Sequence, residues 1–130
     1  KPKIRNNSGS RIAYRFYTKQ NSELTKLFHL FYKNGKKVVP NININPIILA
    51  VWFMDDGSKC RNSDVYLNTQ QFDFKNQLKI ISLLKTLGLK ANLNKDKEYK
   101  RVRFLKSSLP KLKDLISKYV IPSMEYKIEL

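Results

Sequence analysis

The chain has 130 residues, of which 26 are Lys or Arg and 10 are Asp or Glu, a formal charge of +16. That is one domain of ordinary size, or one and a fragment, and its 42% hydrophobic content supplies the apolar surface that disordered chains lack. The longest apolar stretch, residues 46–54, falls far short of the roughly 20 residues that cross a bilayer, and a single cysteine (Cys60) with a single histidine (His29) excludes an internal disulfide and a structural zinc site.

In chain order, Arg11, Ala13, Arg15, Tyr17 and Lys19 alternate with Ile12, Tyr14, Phe16 and Thr18, the period of a half-buried strand. Lys1, Lys3 and Arg5 suggest a basic strand before it, joined through the turn cluster Asn6-Asn7-Ser8-Gly9. A helix follows, capped by Asn21 or Ser22, with Leu24, Leu27, Phe28 and Phe31 as its apolar stripe and His29 off that stripe, a surface residue. Residues 33–45 read as a basic loop with Asn34-Gly35 and Pro40.

Asn45-Pro46 then opens a second helix, an N-cap followed by proline at the first helical position. Residues 47–54 are apolar on every side, so this helix is expected to be buried all round. Gly57 is expected to supply the left-handed residue that ends it. A strand is expected over about 64–72 and a helix from Asp73, with Phe74, Leu78, Ile81, Leu84 and Leu87 inward and Gly88 as its stop. Strands over 89–94 and 99–104 flank a turn at 96–98, and a last helix starts at Ser107 or Ser108, buries Leu109, Leu112, Ile116 and Tyr119, and stops before Pro122. The order is ββα followed by αββαββα, an α+β domain.

The charge calls for a polyanion, nucleic acid first and an acidic membrane second; a solvated basic surface is the alternative. Residues 1–40 hold ten of the Lys and Arg residues against one acid. No helix combines a large apolar face with a basic one, which disfavours the membrane. Lys, Asn and Ile, with A/T-rich codons, make up 43 residues, a composition that suits an organellar genome.

Two strands gather cationic and aromatic groups on one face: Arg11, Arg15, Tyr17 and Lys19 in the first, Tyr99, Arg101 and Arg103 in the other. Tyr66, Asn68 and Gln70 add a third face of hydrogen-bonding groups. Such faces read as free of acids, and their side chains are those that pair with base edges in a groove. An ordinary solvent face is the competing reading. Lys59 and Arg61 join the nucleic-acid-binding candidates.

The sharpest feature is Asp55-Asp56-Gly57 at the end of the apolar helix. Acids at a helix C-terminus oppose its dipole by about 0.3–1 kcal/mol each, and a local rule broken this way is often functional. Paired carboxylates with phosphate oxygens suit Mg²⁺, and with it phosphodiester hydrolysis. The competing reading is a plain Asp-Gly turn.

Residues 49–59 resemble the second signature motif of LAGLIDADG homing endonucleases, in the divergent form of monomeric organellar-intron enzymes, and residues 36–40, 67–72 and 121–127 fit the same family in order and spacing. The resemblance implies two αββαββα halves about a pseudo-two-fold axis, with signature helices packed at the axis, their terminal acids binding metal, and a saddle of two antiparallel sheets on DNA. It divides the chain into residues 1–40, the ββα end of an incomplete first half, and residues 41–130, a complete second half. It implies Asp56 as the metal-binding catalytic carboxylate, Asp55 in support, Lys37 and Lys127 near the scissile phosphates, and Gln70 ordering water. The first signature helix, with the other acid, is expected before Lys1. Without it the chain holds one metal-binding acid where the mechanism uses two, and one face of residues 47–54 needs a second half or another protein to cover it. The implied activity is Mg²⁺-dependent, site-specific cleavage of double-stranded DNA in an organelle, a mitochondrion foremost. The alternative is a non-cleaving relative that binds structured RNA, as an intron maturase or as a component of an organellar ribosome.

Overall fold

A computed structural model describes residues 3–6, 12–61 and 63–130. Arg11, the first of the nucleic-acid-binding candidates, lies outside the described residues. The chain divides into two compact units, residues 1–30 and residues 31–130.

In the first unit, β1 (Lys3–Asn6) pairs antiparallel with β2 (Ile12–Arg15), and α1 (Ser22–Phe31) follows. Asn21 caps α1 by accepting the Glu23 amide on its side-chain oxygen (2.9 Å). The expected alternation extends to Lys19, but β2 ends at Arg15, and residues 16–21 carry no regular structure.

The second unit opens with a two-residue hairpin, β3 (Tyr32–Lys33) paired with β4 (Lys36–Lys37), inside what the sequence presents as a basic loop. Asn34 and Gly35 both take positive φ (50° and 72°), the turn that Asn-Gly favours because it matches strand twist. Beyond it stand α2 (Pro46–Asp56), β5 (Gly57–Cys60), β6 (Asp64–Leu67), α3 (Phe74–Thr86), β7 (Ala91–Asp96), β8 (Tyr99–Phe104) and α4 (Leu109–Ile116). This is the expected αββαββα order, with an antiparallel sheet of strand order β5-β6-β8-β7.

One sheet face packs on the helices. Val65, Leu67, Val102 and Phe104 project from it and are buried with Leu49, Ala50 and Phe53 of α2, Ile80 and Leu84 of α3, and Leu112 and Ile116 of α4. Each of these side chains larger than alanine contributes about 1.5–3 kcal/mol when fully buried. Asp73 caps α3 by accepting the Asn76 amide, and Gly88, at φ 73°, follows its last turn as expected.

Further elements differ from their sequence reading: α3 turns Ile80 and Leu84 inward but leaves Phe74 and Leu78, expected inward, exposed. The strand expected over 64–72 ends at Leu67. There the Thr69 hydroxyl takes the place of a ladder carbonyl, accepting from the Val102 amide (3.0 Å) and donating to Gln77 Oε1 (3.1 Å). Gln77 Nε2 in turn donates to the Phe72 and Lys100 carbonyls. Gly57 is extended (φ −73°, ψ 140°), not left-handed. A Cβ there would sit 2.3 Å from the Phe53 carbonyl oxygen and 2.7 Å from its ring, so glycine serves close packing as α2 passes directly into β5. The last helix is divided, with 3₁₀ turns at Lys106–Ser108 and Ser117–Tyr119 flanking α4, and the tail forms a further 3₁₀ segment, Pro122–Ile128, that buries Ile128.

Candidate nucleic-acid interface and acidic helix end

α2 is not buried all round. Leu49, Ala50 and Phe53 face the core with no exposure above 0%, whereas Ile47, Ile48 and Val51 are 52%, 39% and 58% exposed. The i, i+4, i+8 spacing of residues 47, 51 and 55 places Asp55 at the end of the exposed stripe. Together with Val38, Pro40, Ile42, Trp52 and Phe72 this stripe lines a groove of about 430 Å³, whose lining includes Lys37, Asp55 and Asp56.

The two acids are stabilised where the helix dipole opposes them. Trp52, one turn back, donates its indole N–H to Asp56 Oδ2 (3.1 Å). Lys127 brings its ammonium onto the last turn of α2, donating to the Met54 carbonyl (2.6 Å), with the Asp55 carbonyl at 3.4 Å. A cation at a helix C-terminus offsets the dipole. The Asp56 carbonyl accepts from the Asn68 amide (2.9 Å), which fixes the turn out of the helix.

Lys37 sits over the Phe72 ring (5.3 Å to the centroid) on the lining of the groove. Gln70 does not line that groove: its amide donates to Asp96 Oδ2 (2.9 Å) on the sheet. The structure thus brings Lys37, Asp55 and Asp56 together, commits Lys127 to the helix end, and ties Gln70 to β7.

The second face of the sheet is polar. Register places Tyr66, Arg103 and Asn92 side by side, then Arg101 with Asn94, and Tyr99 with Asp96. Tyr66 is buried rather than presented: the Arg101 guanidinium stacks 3.8 Å from its ring centroid, and its hydroxyl accepts from Asn94 Nδ2 (3.3 Å). Arg101 Nη1 donates to Asn68 Oδ1 (3.3 Å), and its Nε lies 4.0 Å from Asp96. Arg103 Nη2 donates to Asp64 at 2.6 Å. The expectation of an acid-free face fails here, because the sequence separates Asp64 and Asp96 from the arginines that the register sets beside them.

Lys59 pairs with the core-face residue Val65, and its ammonium donates to the Glu129 carbonyl, so it belongs to the helix side of the sheet rather than the polar side. Arg61 lies past the end of β5 with φ 54°. In the first unit Arg15, Tyr17 and Lys19 are exposed, and Arg15 Nη1 approaches the Tyr17 hydroxyl (3.4 Å). Among the described residues no group of three or more His, Cys, Asp or Glu could hold a metal, and no helix is long and apolar enough to cross a membrane.

The model of the LAGLIDADG DNA endonuclease family matches residues 1–112. The chain belongs to this family. Among curated relatives, the cytochrome b mRNA maturase bI2 of Debaryomyces hansenii is 31% identical over 97% of this chain and 50% of its own length. The probable intron-encoded endonuclease 1 of Wickerhamomyces canadensis is 34% identical over 90% and 55%. The probable intron-encoded DNA endonuclease 3 of Mycosarcoma maydis is 32% identical over 89% and 93%. The chain thus spans about half the length of the first two. A solved structure, the homing endonuclease I-WcaI bound to its DNA recognition sequence, superposes with a TM-score of 0.87 at 26% identity, covering 98% of this chain and 63% of that one. The LAGLIDADG homing-endonuclease fold accounts for the α+β architecture, and the apolar motif helix of the sequence is α2.

Proposed function

We propose that this chain is part of a LAGLIDADG homing endonuclease that cuts double-stranded DNA at a specific site with Mg²⁺. The observation that carries the reading is the Asp56 carboxylate, oriented by Trp52 beside Lys37 at the foot of an uncovered apolar helix face.

The donor set fits a divalent cation as a half-site. Asp55 and Asp56 are hard oxygen ligands, and Mg²⁺ is commonly held by one or two carboxylates with the rest of its shell from phosphate and water. When bound there, the ion would stabilise charge on phosphate oxygens and lower the pKa of its water. Lys37, on the same groove, neutralises a neighbouring phosphate as a point charge. Lys127 holds the helix end that aims Asp56. The uncovered stripe Ile47-Ile48-Val51 takes a second acid-ended signature helix, which supplies the other carboxylate, and the division of the chain into residues 1–40 and 41–130 follows from that pairing. DNA lies along the polar sheet face, where Arg101 holds Asn68 and Tyr66 and Arg103 stands beside them in register, with Arg61 past the end of β5; Arg15, Tyr17 and Lys19 of the first unit are further candidate contacts, and Arg11 stays a candidate from the sequence alone. The intron-encoded and cytochrome b relatives support a mitochondrial setting.

The test is cleavage by a protein that contains this chain and the first signature helix, on duplexes carrying candidate intron-insertion sites. The reading expects double-strand breaks with Mg²⁺ and none with excess chelator. Breaks that persist in chelator, or no breaks at any duplex with Mg²⁺, would refute it.

A second reading is intron-RNA binding without cleavage, favoured by the 31% identity to a relative named as a maturase over 97% of this chain. Binding to structured intron RNA that outcompetes duplex DNA at equal salt selects it.

A further inference from the structure

We propose that Asp64 and Asp96 are positioning residues that turn Arg103 and Arg101 from phosphate-neutralising cations into fixed readers of guanine in the DNA major groove. The inference rests on the nucleic-acid reading above and names how that surface would discriminate sequence.

The polar face of β6, β7 and β8 is built, not merely charged. Arg103 is clamped by Asp64 at 2.6 Å, with side-chain exposures of 32% and 24%. Arg101 is held on more sides: stacked on Tyr66, bonded to Asn68, and flanked by Asp96, which is itself anchored by Gln70 Nε2 (2.9 Å). Tyr66 is fixed in turn by Asn94 (3.3 Å). The Arg101 Nε is buried without a hydrogen-bond partner, so the guanidinium is oriented by its surroundings rather than by its own best bonds. Both guanidinium groups keep donors beyond those their neighbours take, since each has five N–H groups.

Two consequences follow from charge and entropy. A carboxylate beside an arginine, hydrogen-bonded to Arg103 at 2.6 Å and 4.0 Å from Arg101, offsets part of its attraction for phosphate, so these residues contribute less than free arginines to the salt-dependent affinity of a +16 chain. An arginine whose rotamer is already fixed loses less entropy when its fork meets guanine O6 and N7, the pairing its geometry suits best. Arg15 and Lys19, exposed, suit the sequence-independent phosphate contacts instead.

The experiment is binding-site selection from a randomised duplex library, with affinity measured on the selected duplex and on guanine-replaced variants over a salt series. The proteins are the wild type, Asp64→Asn, Asp96→Asn and Arg103→Lys, each checked for an unchanged thermal midpoint. The wild type should select guanine. Asp64→Asn and Arg103→Lys should each lose preference at one shared guanine by roughly ten-fold, the order that one bidentate pair supplies. Asp96→Asn should lose it at another. Affinity for unrelated duplex in Asp64→Asn should hold or rise, with a steeper salt dependence, because a free arginine now meets phosphate.

A uniform loss across all sequences with the salt slope unchanged would make the acids structural only and overturn the proposal, as would full retention of the guanine preference. A wild type that selects no duplex overturns the nucleic-acid reading itself.

Discussion

At the level of single residues the acidic helix end and the sheet node are opposite uses of a polar group. Asp56 is held by one indole N–H at the mouth of a groove, whereas Thr69 is fully buried with both hydroxyl bonds made. Trp52→Phe removes the bond to Asp56 without opening a large void. It should weaken Mg²⁺-dependent cleavage by about 10- to 100-fold, the usual cost of losing a group that orients a metal ligand, with the melting temperature little changed. Thr69→Val strands the Val102 amide and Gln77 in the core and should cost about 1–3 kcal/mol in a denaturant titration. The Asp55-Asp56-Gly57 motif was legible in the sequence because acids at a helix end are locally unfavourable. Thr69 was not: within an alternating stretch it reads as one more strand residue, and only the position of Val102 shows that its hydroxyl replaces a carbonyl. The acids of the polar face were hidden in the same way. Asp64 and Arg103 are far apart in sequence and meet only through the β6–β8 register.

At the level of elements, α2 does two jobs with two faces. Leu49→Ala, on the core face, removes a fully buried side chain and should cost about 2–5 kcal/mol. Val51→Lys, on the exposed stripe, should leave the thermal midpoint of this chain unchanged and abolish association with the first signature helix, as read by co-purification of the two. The sequence shows α2 as apolar throughout, and its uncovered side followed only from the family resemblance. The cap of α3 gives a pH-dependent prediction. The Asn76 backbone amide, then its side chain, hold the Asp73 carboxyl below its ordinary value, with Lys36 and Lys75 adding to the effect. Because the folded carboxyl is the stronger acid, its contribution is complete above the ordinary aspartate value of about 3.9 and fades as pH falls toward the folded one. Asp73→Ala should therefore lower the melting temperature at neutral pH, and the difference from wild type should shrink as the pH drops below about 4.

Across the whole molecule, the ββα-then-αββαββα arrangement and the N-caps Asn21, Asn45 and Asp73 were readable because capping residues and apolar periods agree locally with the fold, whereas the β3–β4 hairpin and the extended Gly57 were not. Strand ends were less readable, since they depend on partners the chain meets only on folding. The charge was legible as a total but not as a pattern. The register sets Asp64 and Asp96 beside Arg103 and Arg101, so on the proposed function the exposed lysines would carry the general attraction for DNA. DNA binding should therefore weaken steeply and linearly on a log–log salt plot.

The central claim is that binding and cutting reside in separate parts of one fold, the sheet face and the Asp56 carboxylate. The most direct test measures both on one duplex, comparing wild type with Asp56→Ala in a protein that also carries the first signature helix. The account predicts that Asp56→Ala binds that duplex as tightly as wild type and leaves it uncut in Mg²⁺. Cleavage by Asp56→Ala at the wild-type rate would contradict it.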